Sequence, residues 1–121
     1  IDRGGMKVMK MVEAIIQPDK LQVVKEKLRD AGVTKMTVFR VKGCGQQMGY
    51  TESYRGRTFE VNLLPKVCLR IAVNEDYVQR TVDAIIEGAR SDVIGDGKIF
   101  VQPLEQCIRI RTGETGHDAI G

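Results

Sequence analysis

The sequence predicts a ferredoxin-like α+β sandwich, βαββαβ, and three observations carry that expectation. Two successive segments each read strand, acidic turn, amphipathic helix, strand. Between them lie residues 43–64, about 20 positions with no hydrophobic period, too many for an ordinary hairpin loop. The 121-residue chain is the right size for one domain with one core. Two such halves interleave as a four-stranded antiparallel sheet with both helices on one face.

The elements follow in order. Met9–Ile16 is rich in strand formers and is stopped by Pro18. Pro18 and Asp19 open a helix, because proline suits the first turn and a carboxylate suits the positive helix end. Leu21, Val24, Leu28 and Ala31 repeat at helical spacing, and Gly32 supplies the stop. Residues 36–42 form the second strand, with Met36, Val38 and Val41 apolar. After the long connection, Val67, Leu69, Ile71 and Val73 alternate with Lys66, Cys68, Arg70 and Ala72, the period-two pattern of a half-buried strand. Asn74 is expected to cap the second helix, with Glu75 and Asp76 in its first turn. Val78, Val82, Ile85 and Ala89 make its buried stripe, and Gly88 with Ser91 marks its end. A fourth strand at 99–101 is ended by Pro103. Residues 108–111 alternate like a short fifth strand or edge extension, and 112–121 read as a Gly-rich polar tail. Residues 1–8 are expected to be an N-terminal extension or expression remnant, leaving 9–121 as a single domain.

Both helices cover one side of this sheet. The apolar supply on the other side, Ile15 next to Ile16 for instance, favours burial against a further copy of the chain, so an oligomer is expected.

Composition removes several classes. A net charge of +3, with Lys and Arg interleaved among Asp and Glu, makes no nucleic-acid footprint. The central strand 66–73 also lacks the aromatic platforms that RNA-binding ferredoxin-like modules need. No apolar run approaches the roughly 20 residues of a membrane span, and the cytoplasm is the expected compartment. Cys44, Cys68 and Cys107 have no paired spacing and there is one histidine, His117, so neither a disulfide framework nor a zinc site is expected. No nucleophile–base pair stands out, and an enzyme is not expected.

Chemistry concentrates in three places. Residues 91–98, Ser-Asp-Val-Ile-Gly-Asp-Gly-Lys, place Gly95 and Gly97 where backbone can approach a ligand and aim N–H groups at anionic oxygens, with Lys98 adding charge. Arg109 and Arg111, two apart in an extended segment, suit a grip on phosphate, although a charged edge strand explains them equally well. Lys66 adds a cation at the root of the long connection. That connection carries Tyr50, Tyr54, Arg55 and Arg57, and loops on a rigid scaffold commonly carry binding sites.

These residues resemble the PII family of nitrogen signal-transduction proteins from about residue 9 to residue 120. Five motifs in order carry the resemblance: Lys42-Gly-Cys-Gly, Thr51-Glu-Ser-Tyr-Arg-Gly, Leu64-Pro-Lys-Val, Ile94-Gly-Asp-Gly-Lys-Ile-Phe-Val and Ile108-Arg-Ile-Arg-Thr-Gly-Glu. The resemblance implies a homotrimer with clefts between subunits. ATP and ADP compete there, and 2-oxoglutarate binds beside ATP through a bridging Mg²⁺. It implies a nucleotide site of Met36, Thr37, Gly45, Gln46, Gln47, Ala72, Ile94, Gly95, Asp96, Gly97, Lys98, Arg109 and Arg111. Of these, Gly95–Lys98 would hold phosphates, Arg109 and Arg111 would reach in from the neighbouring subunit's side, and Met36, Thr37 and Ala72 would lie near base and sugar. Gln47, Lys66 and Gly45 would meet 2-oxoglutarate, with Gln47 on the metal. The connection at about 43–64, the family's T-loop, would dock on targets through Tyr54, Arg55 and Gly56.

Arg55 matches the arginine with which GlnK-type members plug an ammonium channel, so an ammonium transporter at the inner face of the membrane is the expected partner. A GlnB-type regulator of glutamine synthetase or nitrogenase is the alternative. A ferredoxin-like module for another class of ligand is a remote one. The chain departs from the family pattern at four positions. Phe59 stands at the usual uridylylated tyrosine and Arg57 at a serine phosphorylated in some relatives. Gln46 replaces an arginine and Met48 a lysine, and the lost cation should weaken the hold on nucleotide phosphates.

Overall fold

A computed structural model describes residues 8–44, 50–54, 57–61 and 63–121, with 50–54 and 57–61 given by backbone course alone. Six strands and three helices occur among them: β1 (Met9–Ile16), α1 (Leu21–Asp30), β2 (Thr37–Gly43), β3 (Tyr50–Tyr54), β4 (Arg57–Val61), β5 (Leu64–Asn74), α2 (Val78–Ala89), β6 (Gly97–Leu104) and α3 (His117–Ile120). The main sheet runs β2-β5-β1-β6, and each described pairing in it is antiparallel. With β1 at the centre and two helices on one face, this is the expected ferredoxin-like arrangement.

Strand register decides the two faces, since directly paired residues point the same way and neighbours alternate. Val12 pairs with Ile71 and Val101, and Ala14 pairs with Leu69 and Ile99. These point toward the helices, where Val24 and Leu28 of α1 and Ala84 and Ile85 of α2 complete the core. Met11, Glu13, Ile15, Thr37, Phe39, Cys68, Arg70 and Phe100 fall on the opposite face, which neither α1 nor α2 covers. Phe39 and Phe100 are 42% and 44% exposed there. Glu13 and Arg70, a cross-strand pair, form an ion pair at 3.3 Å on this face. Cys68, between Phe39 and Ile15, is buried, and loss of water pushes its thiol pKa up.

Several local expectations are corrected. The helix opened by Pro18 begins as a 3₁₀ turn, Pro18–Lys20, and becomes α-helical at Leu21. Asn74 does stand before the 3₁₀ turn Glu75–Tyr77, but its side chain caps nothing; its Nδ2 donates to the His117 carbonyl at 3.5 Å. Gly88 is the penultimate residue of α2, at the expected end, but it has a second role. A Cβ there would stand 2.8 Å from Val24 Cα, so the glycine exists to let two helices touch. Pro103 does not end the last strand, which runs on to Leu104. β6 is a sheet edge, where a missing N–H is tolerated.

The connection between β2 and β5 is not devoid of regular structure. Tyr50–Tyr54 and Arg57–Val61 pair as a two-stranded antiparallel ribbon, with Glu52 opposite Phe59. The two strands form a sheet of their own, separate from the main one.

The C-terminal segment is also more ordered than a polar tail. Residues 108–111 are not a strand; Ile108 makes one bridge to Thr115, and the chain turns between them. α3 then packs against β5.

Candidate functional site

The turn between α2 and β6 is built from its own side chains. Asp96 accepts from the Ser91 amide at 2.8 Å, from the Asp92 amide at 2.9 Å, and from the Ser91 hydroxyl. The Ser91 hydroxyl, then its amide, hold the Asp96 carboxyl below the usual carboxylate range. The Asp96 carboxylate is therefore committed to the turn, and the Asp96 amide donates to the Val93 carbonyl. Gly95 and Gly97 take φ values of +101° and +114°, which a Cβ would strain.

The Gly95 carbonyl ties that turn to the rest of the sheet end. It accepts from Gln17 Nε2 at 2.7 Å and from Lys66 Nζ at 3.4 Å. Gln17 follows β1, and Lys66 is the third residue of β5. Lys98 lies alongside, paired with Ile15 across β1 and β6.

Together these groups border a cleft of about 610 Å³. Lys66 and Lys98 supply charge, Ile94, Gly95 and Gly97 form one wall, and Ile15 with Phe100 forms an apolar floor. Gly43, Cys44 and Leu64, the two roots of the ribbon, close the remaining side. Among the described residues lining the cleft there is no carboxylate. Two ammonium groups over a glycine-rich turn suit an anion of more than one charge.

The other expected site residues lie elsewhere on this chain. Thr37 pairs with Arg70 and Ala72 with Met11, whereas the cleft is built around Ile15. Ala72 lies four residues of strand from the Ile15 level, about 13 Å, and Thr37 lies two, about 7 Å. Met36 packs partly into the core, and Ala72 lines a second cleft of about 350 Å³ beside Lys35, Asn74, Tyr77 and His117.

Arg109 and Arg111 belong to the turn after β6 and do not line the lysine cleft. Arg109 bonds Glu114 Oε1 and the Asp118 carbonyl, each at 3.0 Å, and so staples the C-terminal segment. They do not form the extended pair expected from their spacing, since Ile110, Arg111 and Thr112 lie in a turn.

Gly45, Gln46, Gln47, Arg55 and Gly56 lie outside the described residues, as do the side chains of Tyr54 and Phe59. Gln17, which sequence reasoning passed over, and Ser91, which it read as a helix end and the start of the Gly-rich segment but not as a partner of Asp96, hold the site's geometry. A glutamine immediately before the Pro18 stop was the available signal for the first; a serine five residues before Asp96 was the signal for the second.

Fold and site together define a structural class: a ferredoxin-like domain with a ribbon inserted between its second and third sheet strands and a cationic cleft at the ribbon's root. The sequence profile of nitrogen regulatory protein P-II matches residues 9–114. The chain is 54% identical over 112 residues to nitrogen regulatory protein P-II of Cereibacter sphaeroides, covering 93% of this chain and all of that one. It is also 54% identical over 115 residues to nitrogen regulatory protein P-II 1 of Methanothermobacter thermautotrophicus, covering 95% and 100%. Among solved structures, Bacillus subtilis GlnK superposes with a TM-score of 0.76 at 34% identity, over 93% of this chain and 98% of that one. Arabidopsis thaliana PII bound to citrate gives 0.74 at 38%, over 92% and 88%. The chain belongs to the P-II family of nitrogen regulatory signalling proteins.

Proposed function

We propose that this protein is a non-enzymatic sensor that binds ATP or ADP, and 2-oxoglutarate with Mg²⁺, between subunits of a homotrimer, and reports the outcome through the ribbon. The observation that carries the reading is the lysine cleft, whose walls include both roots of the ribbon. An anion drawn to Lys66 and Lys98 there would act on Gly43, Cys44 and Leu64, where the ribbon begins and ends.

The split of the remaining site residues supports assembly. Ala72 sits about 13 Å along the sheet from Ile15 and Thr37 about 7 Å, on the outer strand β2, and Arg109 and Arg111 sit in a separate turn. A second copy docked on the open sheet face could bring one chain's base-side residues toward another's phosphate-side turn. The exposed Phe39 and Phe100 give that face a reason to be covered. The citrate in the Arabidopsis relative's structure is a small polycarboxylate, chemistry that this cleft also suits.

In this reading Gln47 and Lys66 meet Mg²⁺ and 2-oxoglutarate, and Gly45 contributes a backbone contact. Arg55 is the residue that enters an ammonium transporter, at the inner face of the membrane, while the protein itself stays in the cytoplasm. Phe59, without a hydroxyl, cannot be uridylylated, so control passes through ligands alone at that position. No helix among the described residues is long and apolar enough to cross a membrane, in keeping with a protein recruited by a partner.

The test is co-purification with the ammonium transporter from membranes. Wild-type protein should be retained with ADP and released by Mg-ATP plus 2-oxoglutarate, and Arg55→Ala should not be retained. Retention of Arg55→Ala with full block of ammonium uptake would sink the channel-plug reading and point to a soluble nitrogen-assimilation enzyme as target.

A further inference from the structure

We infer that Gln17 is a positioning residue of the lysine cleft: it holds the Gly95 carbonyl so that the Lys66 ammonium can transfer from that carbonyl to an incoming anionic oxygen. This rests on the anion-binding reading of the cleft given above.

The Gly95 carbonyl faces an awkward requirement. It belongs to the wall of a cleft suited to anions, where its own partial negative charge is unfavourable unless donors cover it. Two donors do so. Gln17 Nε2 sits at 2.7 Å, a close and well-formed bond, while Lys66 Nζ sits at 3.4 Å, at the outer limit of one. A carbonyl oxygen has two lone pairs and accepts both. The contacts differ in what an anion would do to them. An amide N–H already in a close 2.7 Å bond gains less from an anionic oxygen than an ammonium does, which adds an ion pair to the charge-assisted bond. Lys66 is then the donor that moves and Gln17 the donor that stays.

Without Gln17 the carbonyl would depend on Lys66, and an anion would have to compete with it. Leaving a half-buried acceptor unpaired is unfavourable, so that competition lowers affinity. The Gln17 bond also ties the turn before β6 to the end of β1 across 78 residues of sequence, which fixes the wall against which the anion would lie. Both effects act in the same direction.

The experiment compares Gln17→Met, which keeps length but removes the donor, with Gln17→Lys, which keeps a donor. Calorimetry has two arms: ATP with Mg²⁺, and 2-oxoglutarate added to protein already loaded with both. Gln17→Met should weaken the arm in which Lys66 meets the ligand by roughly two- to tenfold, while Gln17→Lys retains affinity. Loss in the first arm assigns the transfer to a phosphate oxygen, and loss in the second to a carboxylate. In a Lys66→Met background Gln17→Met should weaken binding less than it does in the wild type, because the two residues share the Gly95 carbonyl. Equal weakening with and without Lys66 overturns the inference, as does wild-type affinity of Gln17→Met in both arms. Absence of ATP binding by the wild type overturns the cleft reading itself, and the inference with it.

Discussion

A Cβ placed on Gly97 would stand 1.8 Å from the carbonyl oxygen of Ile15. The contact is backbone to backbone, at the first residue of β6 where it pairs with the end of β1, so no rotamer change relieves it. Gly97→Ala must part the two strands or twist the turn, and φ of +114° adds strain of its own. Strain and overpacking together predict a loss of roughly 2–5 kcal/mol. Urea unfolding monitored by circular dichroism measures it. A variant within about 0.5 kcal/mol of wild type would show that the strands have room the geometry denies.

Gly88 poses the same question between helices, with a different balance. Alanine gains about 1 kcal/mol of helix propensity over glycine. Against this, its Cβ would lie 2.8 Å from Val24 Cα and 3.0 Å from Val24 N. Overpacking against backbone costs about 1–3 kcal/mol, so Gly88→Ala should be net destabilising and Gly88→Leu more so. A thermal midpoint raised by Gly88→Ala would mean that α1 and α2 separate at little cost.

Asp96 predicts a pH dependence whose sign is fixed. Its folded pKa lies below the ordinary 3.8, chiefly through the Ser91 hydroxyl, so ionised Asp96 favours the folded turn. The contribution is complete at pH values above the unfolded pKa and is lost as the pH falls through the depressed folded value. The stability difference between wild type and Asp96→Asn should therefore stay level from about pH 8 to about pH 5 and shrink on further acidification. Ser91→Ala should reduce that difference. A difference that grows on acidification would contradict the assignment.

Arg111 is exposed on this chain, whereas Arg109 is tied to Glu114 and Asp118, and in the proposed trimer Arg111 is offered to a neighbouring subunit's ligand. Losing one desolvated charge contact to phosphate costs about 1.5–3 kcal/mol, roughly ten- to a hundred-fold in affinity. Calorimetry with ATP on Arg111→Ala should show that loss, with assembly checked by light scattering. Unchanged affinity removes Arg111 from the nucleotide site. A stable wild-type monomer near 13.5 kDa refutes the trimer.

The sequence by itself determined the four strands of the main sheet, the two long helices and their order. Met9–Ile16 is the strand its residues predict, because a half-buried strand must alternate and Val12, Ala14 and Ile16 do so. Leu21, Val24 and Leu28 marked the buried face of α1 for the same reason, that local periodicity records which side meets the core. The Gly95–Gly97 turn was legible because positive φ selects glycine.

Only the tertiary structure decided which distant groups meet. Gln17 reads as an unremarkable polar residue before a proline until register brings the end of β1 beside the turn at Gly95. Gly88 reads as a helix stop until Val24 is found against it. Lys66, Lys98, Arg109 and Arg111, all beside glycine-containing stretches of the sequence, fall into two groups in the fold, Lys66 and Lys98 at the cleft and Arg109 and Arg111 in the turn after β6. Sequence spacing fixes separation along a strand, but convergence depends on strand pairing and chain reversal. Those follow from how the whole apolar face is buried, which no local pattern contains.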